Sequence, residues 1–214
     1  MKQAPRIDRS MHGLTDDPSA PGVIGPHAVL QLIEALKAAG LYEVSAPVFA
    51  TAGVADWLVD PPEKMVDQRG VARLHQAIRA MSSPEEGVAL MAESGRLTAD
   101  YILANRIPKP AQVLLKLLPP RLAAAAFVPA IKAHSWTFAG TGKFAGKAGL
   151  PTVFTLIGNP LCAGERAASP VCTWHAAVFQ RLFQVLVSPR ARAVETACEA
   201  CGDPFCRFEV DWRK

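Results

Sequence analysis

The chain has 214 residues, half of them hydrophobic and a fifth charged. That balance supports a real core and excludes wholesale disorder. The net charge is +4, from 23 basic and 19 acidic residues; the excess is small and scattered, and no run of Lys or Arg is long enough to mark a nucleic-acid footprint.

Residues 1–22 mix charge with Gly and Pro, lack periodicity and read as a flexible N-terminal arm. Met1–Asp17 carries no apolar stretch of the kind a leader needs. No uninterrupted apolar segment reaches the ~18 residues of a membrane span. The longest, Val113–Ile131, is cut by Lys116, Arg121 and three prolines. A cytoplasmic chain is expected.

From Gly25 the pattern turns helical, with Val29, Leu32, Ile33 and Leu36 on one face and Gly40 as the stop. A short segment over Ala50–Leu58 ends at Pro61–Pro62. A helix is expected over Glu63–Met81, with Val71, Leu74 and Ile78 aligned. Ser83-Pro84-Glu85-Glu86 is a strong helix start: Ser83 caps, Pro84 suits the first helical position and Glu86 completes a capping box. This helix should reach Arg106, with Leu90, Leu97 and Tyr101 on a shared face. Gly95 inside it lowers helix propensity by about 1 kcal/mol, which points to close packing against a neighbouring helix or a ligand. Two shorter helices fit Ala111–Leu118 and Pro120–Ala133.

After His134 the character changes. Trp136–Lys147 suits a strand with bends, and Pro151–Ile157 is a β-branched and aromatic run. Residues 170–187 form an apolar helix with Val171, Trp174, Val178, Leu182 and Val185 on one stripe. Two strands, Ala191–Cys198 and Phe205–Trp212, follow, joined by a turn around Gly202-Asp203-Pro204. The expected fold class is α+β. A mainly helical part over 23–135 packs on the antiparallel sheet of an α+β part over 136–214, the two forming one globular unit.

The most specific chemistry lies in Glu195-Thr-Ala-Cys198-Glu-Ala-Cys201-Gly-Asp-Pro-Phe-Cys206. In a chain without a secretion signal, clustered cysteines point to metal or redox chemistry rather than a disulfide framework. A hairpin brings Cys198 and Cys206 together. Cys172 can join from the start of the preceding helix, and Glu195 can supply a fourth ligand to a tetrahedral zinc ion. Three other readings stay open: a thiol–disulfide pair of Cys198 and Cys201, Cys201 in place of Glu195 as a ligand, and cysteines that are merely buried, the reading that suits Cys162.

The segment from Pro170-Val-Cys172 to Cys198-Glu-Ala-Cys-Gly-Asp-Pro-Phe-Cys206-Arg-Phe resembles the C-terminal signature of the vinyl-4-reductase domain family. That family includes the ligand-sensing domains of phenol-responsive activators and a small bacteriochlorophyll-biosynthesis protein of purple bacteria, whose size and element order this chain shares. The resemblance implies a ligand-binding domain enclosing an apolar pocket, with a structural zinc held by Cys172, Glu195, Cys198 and Cys206. It also implies Mg-protoporphyrin IX or its monomethyl ester as bound ligand. As partners it implies the magnesium chelatase large subunit or the methyltransferase that follows it, with a homodimer as the assembly. The implied place of work is the periphery of the photosynthetic membrane.

A tetrapyrrole site needs apolar walls, cations for propionates and an axial ligand. Candidate walls are Trp136, Phe138, Phe154 and Trp174; Lys143 could meet a propionate; His134 or His175 could reach magnesium through a neutral ring nitrogen. No Gly-x-Gly-x-x-Gly follows a strand, and no flavin or iron–sulfur spacing is evident. A non-catalytic carrier is therefore the leading expectation. The alternatives are a vinyl reductase acting on a divinyl (proto)chlorophyllide with an external electron donor, and a small-molecule sensor. The sensor is disfavoured because no ATPase or helix-turn-helix segment follows.

Overall fold

A computed structural model describes residues 22–213, so the arm assigned to residues 1–22 lies, apart from Gly22, outside the described residues. β1 (Val23–Ile24) pairs antiparallel with β2 (Val66–Asp67). Between them, α1 (His27–Ala38) buries Val29, Leu32, Ile33 and Leu36, the stripe that the sequence marks. Gly40 follows with φ +69°, a left-handed turn that a residue with a Cβ resists. α2 (Ala46–Thr51) anchors the next stretch through buried Phe49.

α3 (Gln68–Met81) begins later than the expected Glu63. Val66 and Asp67 are drawn into the pair with β1, and the Asp67 carboxylate accepts the Arg69 N–H at 2.8 Å, capping the helix there. α4 (Pro84–Asn105) starts where the capping box requires, with Ser83 and Glu86 bonded reciprocally at 3.1 and 3.2 Å. Its buried face is Leu90, Met91, Ser94, Gly95, Thr98, Ala99 and Leu103. Leu97 and Tyr101, expected beside Leu90, sit at its margin. The stripe is rotated because Gly95 faces α8 (Thr173–Leu186): a Cβ at Gly95 would overlap the Trp174 carbonyl and lie 2.8 Å from Ala177 Cβ.

α5 (Lys109–Leu117) and α6 (Pro120–Ala133) agree closely with the sequence reading. Trp136 does not open a strand. α7 (Trp136–Ala139) is a single helical turn, broken by Gly140 at φ +55°, and β3 (Lys143–Lys147) starts only after it. β3, β4 (Thr152–Ile157), β5 (Arg192–Ala197) and β6 (Cys206–Asp211) form an antiparallel sheet in the order β3-β4-β6-β5. Phe154 on β4 is paired with Phe208 on β6. α8 lies across that face, its Phe179 ring 4.5 Å from Phe154. One cluster of buried side chains runs from Ile24 to Trp212, so helices and sheet share a core.

Candidate functional site

Three segments converge at one end of the sheet. Leu156 on β4 is paired with Cys206 on β6, which carries that cysteine to the sheet's end. The chain leaving β4 turns at Asn159, whose side-chain oxygen accepts the Leu161 N–H at 3.1 Å and starts a short 3-10 turn over Pro160–Cys162. Cys172 immediately precedes α8. Cys198 follows β5, and its N–H donates to Asp203 Oδ2 at 2.8 Å, which ties down the turn through Gly202 (φ +93°).

The outcome is a group of four buried sulfurs, from Cys162, Cys172, Cys198 and Cys206, all within 4.8 Å of one another. Sγ–Sγ distances are 3.7 Å for Cys162–Cys206, 3.8 Å for Cys172–Cys206 and 3.9 Å for Cys172–Cys198. A disulfide needs about 2.05 Å, and all five cysteines are free. Zinc–sulfur bonds of about 2.3 Å in a regular tetrahedron place neighbouring sulfurs about 3.8 Å apart. The donor set therefore fits a tetrahedral thiophilic dication.

The surroundings fit thiolates as well. Buried Asn159 donates its side-chain amide to Cys172 Sγ at 3.1 Å and to Cys206 Sγ at 3.3 Å. The Glu199 N–H donates to Cys206 Sγ at 3.5 Å. Cys198 is held well below the usual thiol range because the Cys162, Cys172 and Cys206 thiols can all donate to its thiolate. Those of Cys162, Cys198 and Cys206, together with burial, push Cys172 up. Four thiols this close cannot all ionise alone, and a bound dication supplies the missing positive charge.

Glu195, the fourth ligand that the family resemblance implies, lies beside this group. Its Oε2 accepts the Cys172 N–H at 2.7 Å, and its Oε1 is buried without a partner. Burial pushes its carboxyl up to about 9, against the Cys172 N–H, with the Cys198 charge adding to the rise. Cys201 is exposed and outside the sulfur group, which leaves the Cys198–Cys201 pair without the juxtaposition a disulfide centre needs. Sequence reasoning missed two residues: Cys162, taken as an ordinary buried residue, and Asn159. The turn dipeptide Asn159–Pro160 ahead of Cys162 was the available signal.

A second cluster lies between α3, α8 and the sheet. His175 is fully buried among Phe138, Phe179, Phe208 and Trp174, with ring centroids 5.0–6.3 Å away. Neither of its ring nitrogens has a hydrogen-bond partner, and neither does Trp174 Nε1. His75 on α3 bonds the Ala28 carbonyl through Nε2 at 3.1 Å, but its Nδ1 is unpartnered. Its ring centroid is 6.1 Å from that of Trp174. Burial pushes His75 down to about 4, and Arg79 adds to the fall. Burial, with His75 adding, pushes His175 down to about 3, while the Phe138 backbone and Cys198 oppose it. Both rings are neutral near pH 7.

Of the sequence-named ligand candidates, Phe154, Trp174 and His175 are buried and Phe138 half-buried, so these four come together. His134, Trp136 and Lys143 are exposed: His134 caps α6 with Nδ1 2.9 Å from the Ala130 carbonyl oxygen, and Trp136 is 53% exposed. The two best-formed hollows are surface clefts of about 140 and 290 Å³, lined by residues around α3 and by the Asp60–Val66 loop, away from these rings.

Residues 152–211 match the vinyl-4-reductase domain family. The chain is 47% identical to the bacteriochlorophyll synthase 23 kDa chain of Cereibacter sphaeroides, covering 92% of this chain and 94% of that protein. It is 40% identical to that of Rhodobacter capsulatus, covering 86% and 85%. An H-NOX protein from S. oneidensis, solved in the Fe(II)NO ligation state, is similar in fold (TM-score 0.54, 8% identity, 89% of this chain and all of that one). A vinyl-4-reductase family protein of Methanocaldococcus jannaschii aligns over 67% of this chain and 90% of its own at a TM-score of 0.35 and 13% identity.

Proposed function

Because the chain belongs to the family of bacteriochlorophyll synthase 23 kDa chains, we propose that it is an accessory carrier in bacteriochlorophyll synthesis that binds magnesium-protoporphyrin-type intermediates. The observation that carries this is the buried set His175, His75 and Trp174. Buried polar groups are nearly always hydrogen-bonded, and each orphan costs about 1–3 kcal/mol. Here several orphans lie in an aromatic interior. A flat apolar ligand with a central metal and carbonyl or carboxyl oxygens satisfies them. A neutral imidazole suits magnesium, and the indole N–H suits an oxygen.

A macrocycle needs a site within the usual range of about 300–1,000 Å³. The rings now pack against one another, so loading must displace side chains. Phe138 is the candidate to move, since it caps His175 from the single-turn α7 rather than from a long element. The chain would then deliver its ligand to the chelatase large subunit or the next methyltransferase, as a monomer or homodimer at the membrane periphery. One globular unit of helical part 23–135 and α+β part 136–214 serves this role.

The sulfur group is read as a structural zinc site. Cys172, Cys198 and Cys206 are ligands on either view. The near-tetrahedral sulfur spacing supports Cys162 as the fourth. The family-implied Glu195 keeps a claim through its unpartnered Oε1.

The test is a titration of purified chain with magnesium-protoporphyrin monomethyl ester, followed at the Soret band. A saturable shift that weakens in His175→Ala, with the vinyl groups intact, is expected. No shift would refute the carrier. Loss of a vinyl group with NADPH and this chain alone would replace it with a reductase.

A further inference from the structure

The net charge of +4 hides a strong segregation. From Tyr101 to Gly164 there are seven Lys and Arg residues and no Asp or Glu. That leaves 16 of the 23 basic residues, against all 19 acidic ones, for the rest of the chain. Among the described residues none of the seven pairs with a carboxylate. The same stretch holds a concentration of exposed aliphatic side chains. Val113, Leu114 and Leu117 on α5 are 56, 60 and 78% exposed, and Leu122 in the first turn of α6 is 56% exposed.

We propose that α5, the Pro119–Pro120 corner and the start of α6 form a surface that docks the protein on an anionic lipid bilayer. Val113 and Leu117 are one turn apart, Leu114 flanks them, and Leu122 stands just past the corner. Lys109, Lys116 and Arg121 border this apolar ridge, all exposed. Long cationic side chains around protruding leucines match an interfacial helix, whose apolar residues enter the acyl boundary while its cations meet headgroup phosphates. The ridge protrudes, and neither of the two best-formed hollows lies on it. A fluid acyl layer accepts protrusions of any shape, whereas a folded partner would need a complementary cleft. No helix among the described residues is long and apolar enough to cross a membrane, so attachment is to one face. The proposal does not rest on tetrapyrrole binding.

The experiment is flotation of the ligand-free full chain with vesicles of phosphatidylcholine alone, or of phosphatidylcholine and phosphatidylglycerol in equal parts. The chain should float with the anionic vesicles, stay behind with the neutral ones, and release as salt is raised. A Lys116→Glu, Arg121→Glu variant should bind at least about 25-fold more weakly, from about fivefold (about 1 kcal/mol) for each lost cation. A Leu114→Asp, Leu117→Asp variant should also lose binding while keeping its helical circular dichroism. Val59→Asp, at a position 89% exposed before Pro61, should behave as wild type. Failure to float at low salt, or leucine variants that float normally, would overturn the proposal. So would a leucine-dependent dimer that stays off vesicles, which would make the ridge a contact between copies.

Discussion

Asn159 and Cys172 are joined by a side-chain N–H···S bond of 3.1 Å, and the same amide reaches Cys206 at 3.3 Å. One neutral residue thus orients two sulfurs from different elements, and its own orientation is fixed because its oxygen accepts the Leu161 N–H. Removing such a partner from a metal site usually costs 10–100-fold in affinity. Asn159→Ala should therefore weaken zinc by a factor in that range, read by competition with a chromogenic chelator. Asn159→Asp, which sets a carboxylate against thiolates, should be worse than alanine.

The metal centre itself predicts about one zinc per purified chain, lost in Cys198→Ser. Cobalt substitution separates the two fourth ligands. If four thiolates bind, Cys162→Ser lowers the sulfur-to-cobalt charge-transfer intensity and Glu195→Gln leaves it alone. The reverse pattern would assign the fourth position to Glu195. Chelation should lower the melting temperature, since the ion ties the 3-10 turn, the start of α8 and the β5–β6 connection together.

Gly95 sets two effects against each other. Alanine improves helix propensity by about 1 kcal/mol, but its Cβ meets the Trp174 carbonyl and Ala177 Cβ. Overpacking of this kind costs about 1–3 kcal/mol, and a rigid backbone carbonyl cannot move aside cheaply. Gly95→Ala should be destabilising on balance and Gly95→Val more so, seen as successive drops in thermal midpoint.

Acidification gives a directional test. His75 has its folded pKa lowered from 6.5 to about 4, so between those values the unfolded chain binds a proton that the folded chain refuses. Stability should fall as pH drops from about 6.5 to about 4 and level off below, by on the order of 3 kcal/mol for this residue. His75→Gln should flatten that part of the profile. Urea titrations across the window, on wild type and variant, separate it from acid release of metal, which both proteins share.

Much of the fold was legible because periodicity, caps and breakers agreed. The α4 capping box, the Gly40 stop and the β4 run are local signals, and the structure follows them. The misreadings have tertiary causes. Asp67 moved a helix start because a strand partner captured Val66, and close contact with α8 turned the α4 stripe toward Gly95. Within the site, Cys172, Cys198 and Cys206 could be assembled from spacing along a helix start and a hairpin. Cys162 could not, because its approach depends on the β4–β6 pairing and on Asn159, neither visible in a spacing rule. His75 and His175 lie 100 positions apart, and only folding sets both against Trp174. The acid-free stretch was in plain view but averaged away by counting net charge over the whole chain.

The strand order β3-β4-β6-β5 has a consequence for biosynthesis. β6 is an interior strand of the sheet, yet the ribosome makes it after every other strand described. Until it emerges, β4 and β5 each keep an open edge, and Cys206 is missing from its corner. Sheet closure and completion of the sulfur group must then occur together, so a nascent chain stalled before Cys206 would present sticky strands and reactive thiols to quality-control proteases.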